Sequence, residues 1–329
     1  MVLDNTDESN STTGFFLLAV SLDSNPLHGF NTYSIETPGS FPDQPSLGFN
    51  DDKIVTGGNS FSCNPDCATG PYEGNEFLVW NKAQLLAAPA NSNVPPDTFL
   101  FPPDEDGSGF PIIPAKSRTS TSTLWMVSAF NNTLNLWSVT GVPGVGLGPS
   151  ATNSPMTINA FIDPPSAPQK NSTHKIDTGD SRLLDAVFRD GHLWTSGNDT
   201  CTPSGDTTTR SCMQFIEVLT TGVNPVVNQD FSFGTKNFFD YYPSVDLDSS
   251  GDLITSFSQS SSSTEFPSAF VDGRFAGDAK NALGTPVLLQ AGAKSYNSND
   301  TSGQPFRWGD YSASAVDPAD ETAIWVAAE

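Results

Sequence analysis

The sequence predicts an all-β protein, a β-propeller of four-stranded antiparallel blades, six in number with five or seven as the neighbouring counts. Three observations predict it. A strand, acidic turn, strand unit recurs, most clearly in Pro243-Ser244-Val245-Asp246-Leu247-Asp248-Ser249-Ser250-Gly251-Asp252-Leu253-Ile254-Thr255. Val245 and Leu247 alternate with polar neighbours, Asp248 to Gly251 supplies turn chemistry, and Leu253-Ile254 restarts the apolar pattern, as a hairpin requires. The units recur at intervals of about 60 to 70 residues, the range for blades with long connections. Finally, only Asn81 to Ala88 has helix-friendly composition, and Pro89 stops it.

In order along the chain, residues 1 to 14 are polar and expected to be flexible, and residues 15 to 329 are expected to form one domain. Phe15 to Leu22 reads as a buried strand, with Phe30 to Ile35 as its alternating partner. Pro45 to Thr56 matches the Pro243 unit in its Pro-Ser start, its acidic turn and its closing apolar pair before Thr, and the unit continues to Glu76-Phe77-Leu78-Val79-Trp80. Residues 89 to 111, with several prolines and the acidic tract Asp104-Glu105-Asp106, read as a surface loop. The third unit pairs Ser122 to Ser128 with Thr133 to Val139 across an Asn131-Asn132 turn. A Pro/Gly/Ser-rich connection from Gly141 to about Pro155 then leads to a strand around Met156 to Ile162. The fourth is Arg182 to Phe188, turn Arg189-Asp190-Gly191, His192 to Ser196, with Met213 to Val218 outside it. A Ser-rich run from Ser256 to Glu265 follows the Pro243 unit, and the last unit is Trp308 to Asp317 with Ala323 to Ala327. A sandwich would space its strands evenly and would not repeat one head motif.

The charge balance is 14 Lys+Arg against 37 Asp+Glu, a formal net of -23. Such a surface repels phosphate backbones and anionic membranes, so nucleic acid is excluded as a partner. No apolar segment approaches the length of a membrane span, so membrane insertion is not expected. The four cysteines fall in two local pairs, Cys63 with Cys67 and Cys201 with Cys212, read as disulfides because no His accompanies either pair as a zinc site would want. Disulfides imply an oxidising compartment. Sequons at Asn10, Asn131, Asn171, Asn198 and Asn299 agree with a secreted or cell-surface glycoprotein. The Met1-Val2-Leu3-Asp4 start lacks a basic region and an apolar run, so a leader removed or lying upstream is the expectation.

Three stretches carry a family likeness. Ser244 to Leu253 keeps Ser, Asp and Gly of the turn Ser-x-Asp-x-Gly-x-x-Trp; Asp190-Gly191-His192-Leu193-Trp194 keeps Asp, Gly and Trp; Phe306-Arg307-Trp308-Gly309-Asp310-Tyr311 looks like the inner strand of a closing blade. From about residue 15 to the end, the chain thus resembles, at the level of fold, the secreted sialidase-like propellers with Asp-box turns. That superfamily includes glycosidases, lyases, lectins and adhesion modules, so the likeness does not fix a function. The resemblance implies an Arg cluster for a carboxylate, a Tyr nucleophile with a Glu partner, and an Asp acid. Carried over, these are Arg118, Arg182 and Arg307, with Tyr311 or Tyr241 as the Tyr. No Arg-Ile-Pro motif and no Glu beside either Tyr accompany them.

In a propeller, residues at the starts of inner strands surround the channel where ligands bind. Those positions give Asp43, Arg118, Arg182, Asp185, Tyr241, Tyr242 and Arg307 as candidate ligand-binding residues, and Asp240, Asp310 and Tyr311 as candidate catalytic ones. Arginine holds carboxylate or sulfate by bidentate hydrogen bonds, and paired carboxylates can work as acid and base on a glycosidic bond. The competing reading is structural: each Arg paired with a nearby Asp, each Asp bonded to backbone N–H groups. Asp246, Asp248 and Ser250 match the start of a calcium loop without its downstream Glu, which makes calcium the one cofactor to consider. His28, His174 and His192 sit in different units, and neither a phosphate loop nor a Gly-x-Ser-x-Gly elbow is present. The function expected is an extracellular module binding a glycan or surface protein at the channel face. A glycan-active hydrolase or lyase, and a structural subunit of a surface layer or filament, are the alternatives.

Overall fold

The computed structural model describes residues 12–103, 111–297 and 305–329. It is all-β, with mostly antiparallel strands gathered into several sheets and, among the described residues, one short α-helix and one 3-10 turn. The chain divides into two compact units, Met1–Ser128 with Asn135–Ser154, and Ala129–Leu134 with Pro155–Glu329.

The first unit opens with the hairpin Thr13–Ser21 and Phe30–Pro38, which begins two residues earlier than the sequence suggested. Its alternation of buried and exposed residues puts Phe16, Leu18 and Tyr33 in a core with the helix residue Leu85 and with Leu78 and Trp80 of the following sheet. That sheet contains a four-stranded meander, Ser40–Phe49, Lys53–Ser62, Tyr72–Asn81 and Thr98–Phe101, with Lys116–Ser117 added in parallel beside Ser40–Phe49. The last strand of the meander falls inside a stretch that the prolines made look like loop. Phe101 stacks on Phe77 with ring centroids 4.5 Å apart, the aromatic burial that composition alone hid. Helix Lys82–Ala87 follows Asn81, whose side chain caps it by accepting the Gln84 N–H at 3.2 Å.

Ile113–Pro114, Leu124–Phe130, Thr133–Val142 and Val145–Thr157 make the next four-stranded sheet. Val145–Thr157 corrects the reading of Gly141 to Pro155 as a connection. It lies at the sheet edge with no buried residue, so backbone pairing alone defines it and no apolar alternation was there to find. Val55, Phe77 and Val79 of one sheet pack on Leu124, Met126 and Val139 of the next.

In the second unit, Leu183–Arg189, His192–Cys201, Arg210–Leu219 and Val226–Phe233 form a meander of the same plan. The sheet after it has its first strand broken in two, Phe239–Tyr241 and Asp246–Leu247, both paired with Leu253–Ser260, followed by Ser268–Arg274 and Val287–Gln290. The break falls at Tyr242-Pro243-Ser244, and the ladder of Ser40–Phe49 shifts at Gln44-Pro45-Ser46. Both residues before the proline take positive φ, 50° at Gln44 and 58° at Tyr242. Proline disfavours the helical region for its predecessor, and a bulge re-aims the chain. Val187, Trp194, Met213 and Phe215 meet Val245, Leu247, Leu253 and Phe257 in the layer between these two sheets. The chain ends in the hairpin Ala313–Asp317 and Asp320–Ala327. Of the six units read from the sequence, the first and last are therefore two-stranded hairpins and four are four-stranded meanders.

Both predicted disulfides are present, Cys63–Cys67 and Cys201–Cys212. Among the described residues, no helix is long and apolar enough to cross a membrane.

Candidate functional site

The residues expected around a channel are largely committed to the fold. Asp240 is 0% exposed; its carboxylate accepts Gln259 Nε2 and the Thr235 N–H, both at 2.6 Å. Burial pushes its pKa up to about 6. Tyr241 and Tyr242 are buried in a cluster with Ala167, Ile176 and Phe239, and burial raises both phenols. Asp185 accepts the N–H groups of Ala186 and Val245. As residues that begin strands, these four are expected to line a channel. The structure spends them on hydrogen bonds and packing, and buries Asp240, Tyr241 and Tyr242 beyond the reach of a dissolved ligand.

Arg182 is paired with Asp180, and Arg307 with Asp310. Arg118, in the first unit, lies over the Phe49 ring at 5.7 Å. Asp43 is exposed on Ser40–Phe49, and Tyr311 is exposed ahead of the final hairpin. The calcium reading also meets a different geometry. Asp246 is buried and accepts the N–H groups of Leu247 and Val316, whereas Asp248 accepts those of Ser250 and Asp252 as a turn residue does. Among the described residues, no group of three or more His, Cys, Asp or Glu side chains is placed to hold a metal ion. The sequons divide too: Asn131 and Asn171 are exposed, Asn198 is buried, and Asn10 and Asn299 lie outside the described residues, as does the acidic tract 104–106.

A different set of side chains lines a cavity of about 200 Å³ in the second unit. Register explains how they meet. Trp194 is paired with Glu217, and Glu217 with Gln229, so three adjacent strands send one row of side chains to the same face. Arg189 and His192 flank the Asp190-Gly191 turn at the end of that face, where φ of 50° and 86° makes the tight reversal. From the neighbouring sheet come Leu247, Leu253 and Arg274, also cross-strand partners, and the Ser249-Ser250-Gly251 turn. Trp194, Leu247 and Leu253 belong to the apolar core beneath, so the cavity is the polar end of one packed layer.

Its polar groups form a chain. His192 Nδ1 lies 2.6 Å from Glu217 Oε1. Glu217 Oε2 accepts from Asn228 Nδ2 at 2.5 Å and from Gln229 Nε2 at 2.6 Å. Gln229 Oε1 accepts from Arg274 Nη1 and from the Asn281 N–H. Arg274 also donates to the Asp278 carbonyl at 2.9 Å and lies 5.7 Å from the Trp194 ring. It is 7% exposed, yet no carboxylate pairs with it among the described residues, and its Nε has no partner. Arg189, 5% exposed, meets Glu321 through Nη1 at 3.0 Å, and its Nε likewise has no partner. A buried guanidinium neutralised only by neutral dipoles, as Arg274 is, is costly and favours an anion beside it, and Arg189 adds a second cation at the same cavity with one donor unengaged.

No protein-family model matches the chain, and no curated protein matches it.

The signal that points to this site is in the sequence. Arg189 shares the phase of Val187, Glu217 that of Met213 and Phe215, and Arg274 that of Phe270, so each is a charged residue on the buried side of its strand. All three stand at or near strand ends, whereas the channel of a propeller is lined from strand starts.

Proposed function

We propose that this chain is a secreted, ligand-binding β-propeller whose ligand is an extracellular glycan seated in the cavity beneath the Ser249-Ser250-Gly251 turn. Four meanders of one plan support the propeller, each pair of neighbours within a unit sharing an apolar layer. Two disulfides and the exposed sequons Asn131 and Asn171 support an extracellular setting. The Asp-box likeness of Asp190 to Trp194 falls on the wall of the cavity, which keeps the sialidase-like resemblance within the same reading.

The observation that carries the reading is Arg274: a buried cation with no carboxylate partner among the described residues, bordering an open cavity. A structural arginine is ordinarily neutralised by an acid, and this chain has acids in excess. Binding is favoured over catalysis because the candidate acid Asp240 is sealed in the core.

An array of neutral and acidic oligosaccharides tests the proposal, with retention on acidic members expected. Arg274→Met should abolish that retention while costing no more than about 1–2 kcal/mol of stability, since exchanging a buried charge for a packed apolar chain is often near neutral. Folded protein that binds no member of the array would overturn the reading.

A further inference from the structure

We infer that the guest of the cavity is a sugar carboxylate and that Glu321 occupies Arg189 in its place until the guest displaces it; this rests on the glycan-binding reading above. Arg189 carries five N–H donors in a planar fork suited to a two-oxygen anion. Its contact with Glu321 uses Nη1 at 3.0 Å, and Nε, on the same guanidinium, is left without a partner. The guanidinium thus keeps one buried donor that Glu321 does not engage, for a carboxylate that takes its place.

Glu321 is placed to leave. Its side chain is 55% exposed, so its charge returns to water when it lets go. Its backbone stays behind, because the Glu321 carbonyl accepts the Ser249 N–H at 2.8 Å and ties the final hairpin to the turn that lines the cavity. The exchange therefore needs one side-chain rotation and no movement of a strand.

Size and charge narrow the guest. A volume of about 200 Å³ corresponds to roughly seven waters, which suits a single sugar ring. With a net charge of -23, the surface opposes a long polyanion at a distance, whereas a single carboxylate gains the short-range contact with Arg189 and Arg274. The chemical class is a free or chain-terminal uronic acid.

Titration calorimetry with D-glucuronate, its methyl ester and D-glucose reads the inference, on the wild-type chain and on Glu321→Gln. Glucuronate should bind and the two neutral sugars should not. Glu321→Gln should tighten glucuronate about two- to fivefold, the share an exposed ion pair contributes. Its melting temperature provides the folding control. Wild type that binds glucuronate with no gain, or a loss, in Glu321→Gln overturns the displacement. Retention of other acidic glycans on the array with no glucuronate binding overturns the ligand class. Failure of both the array and the titration overturns the glycan reading itself.

Discussion

The carboxylate of Asp185 accepts the N–H of Val245 at 3.0 Å, and that of Asp246, one sheet further on, accepts the N–H of Val316 at 3.3 Å. In both, the other oxygen accepts the N–H of the next residue in its own strand, Ala186 at 2.9 Å and Leu247 at 2.8 Å. One device thus ties the first strand of a sheet to the first strand of its successor, twice in the second unit. In the matching stretch of the first unit, Pro45 to Phe49 against Pro243 to Leu247, the place of Asp246 is taken by Gly48. A Cβ there would meet the Pro114 carbonyl carbon at 2.5 Å, so the close approach of backbones replaces the latch.

Truncating Asp246 to Ala leaves two buried N–H groups without their acceptor. A loss of about 2–4 kcal/mol is expected by urea unfolding, and a smaller one of about 1–2 kcal/mol for Asp185→Ala, whose side chain is only half-buried. Equal stability of wild type and Asp246→Ala would remove the latch from the account.

Acidity should stabilise the protein. Glu76 is buried against Ser40 and Ser60, and desolvation lifts its pKa from 4.5 to about 7. Asp240, buried beside Gln259, is lifted from 3.8 to about 6. A carboxyl whose folded value is raised favours folding below its unfolded pKa, and that contribution is lost as pH rises through the folded one. From pH 4.5 to above pH 7 the Glu76 contribution alone amounts to about 3 kcal/mol. Unfolding at pH 5 and pH 8 should find the protein more stable at pH 5, and Glu76→Gln should narrow the difference by stabilising the pH 8 state. Wild type that is more stable at pH 8 contradicts this.

What the sequence made legible follows from which residues are buried. Strands with one wet face, such as Thr13–Ser21, alternate and announce themselves, and Asp190-Gly191 and Asp248 to Gly251 marked their turns correctly. Val145–Thr157 escaped notice because an exposed edge strand needs no pattern beyond its backbone. The cavity was hidden for a related reason. Sequence tells that Asp240 and Arg189 are charged, but not that a carboxamide and a backbone N–H seal the first, while the second ends beside a cavity. That distinction is set by packing between sheets, which strand phase hints at and sequence order does not state.

The two disulfides should differ in weight. Cys201–Cys212 closes a separation of 11 residues and joins two central strands of a meander, whereas Cys63–Cys67 closes 4. In the chain-entropy account these loops are worth about 3 and about 2 kcal/mol. The first is further anchored where Gly234 packs on Cys212, since a Cβ there would meet Sγ at 2.6 Å. Ser replacements of each pair, compared by urea midpoint, should cost more at 201 and 212. A larger loss at 63 and 67 would reverse the assignment.

Glycan occupancy should follow burial rather than the sequon. Asn131 and Asn171 sit in turns with φ of 53° and 58°, side chains exposed, so an attached glycan projects into water. Asn198 lies within His192–Cys201 at 1% exposure, and its Oδ1 accepts the Tyr242 N–H at 2.7 Å. Its amide nitrogen, the atom a glycan would occupy, is enclosed, and an added Cβ at Gly179 would come within 2.9 Å of it. A chain glycosylated at Asn198 before folding could not form the Tyr242 contact or close the strand against its neighbours. Glycopeptide mass spectrometry of the folded protein from a glycosylating secretory host should therefore find Asn131 and Asn171 occupied and Asn198 bare. A glycan on Asn198 in molecules that elute as folded monomer would show that this strand opens, and the buried placement of Asn198 would fall with it.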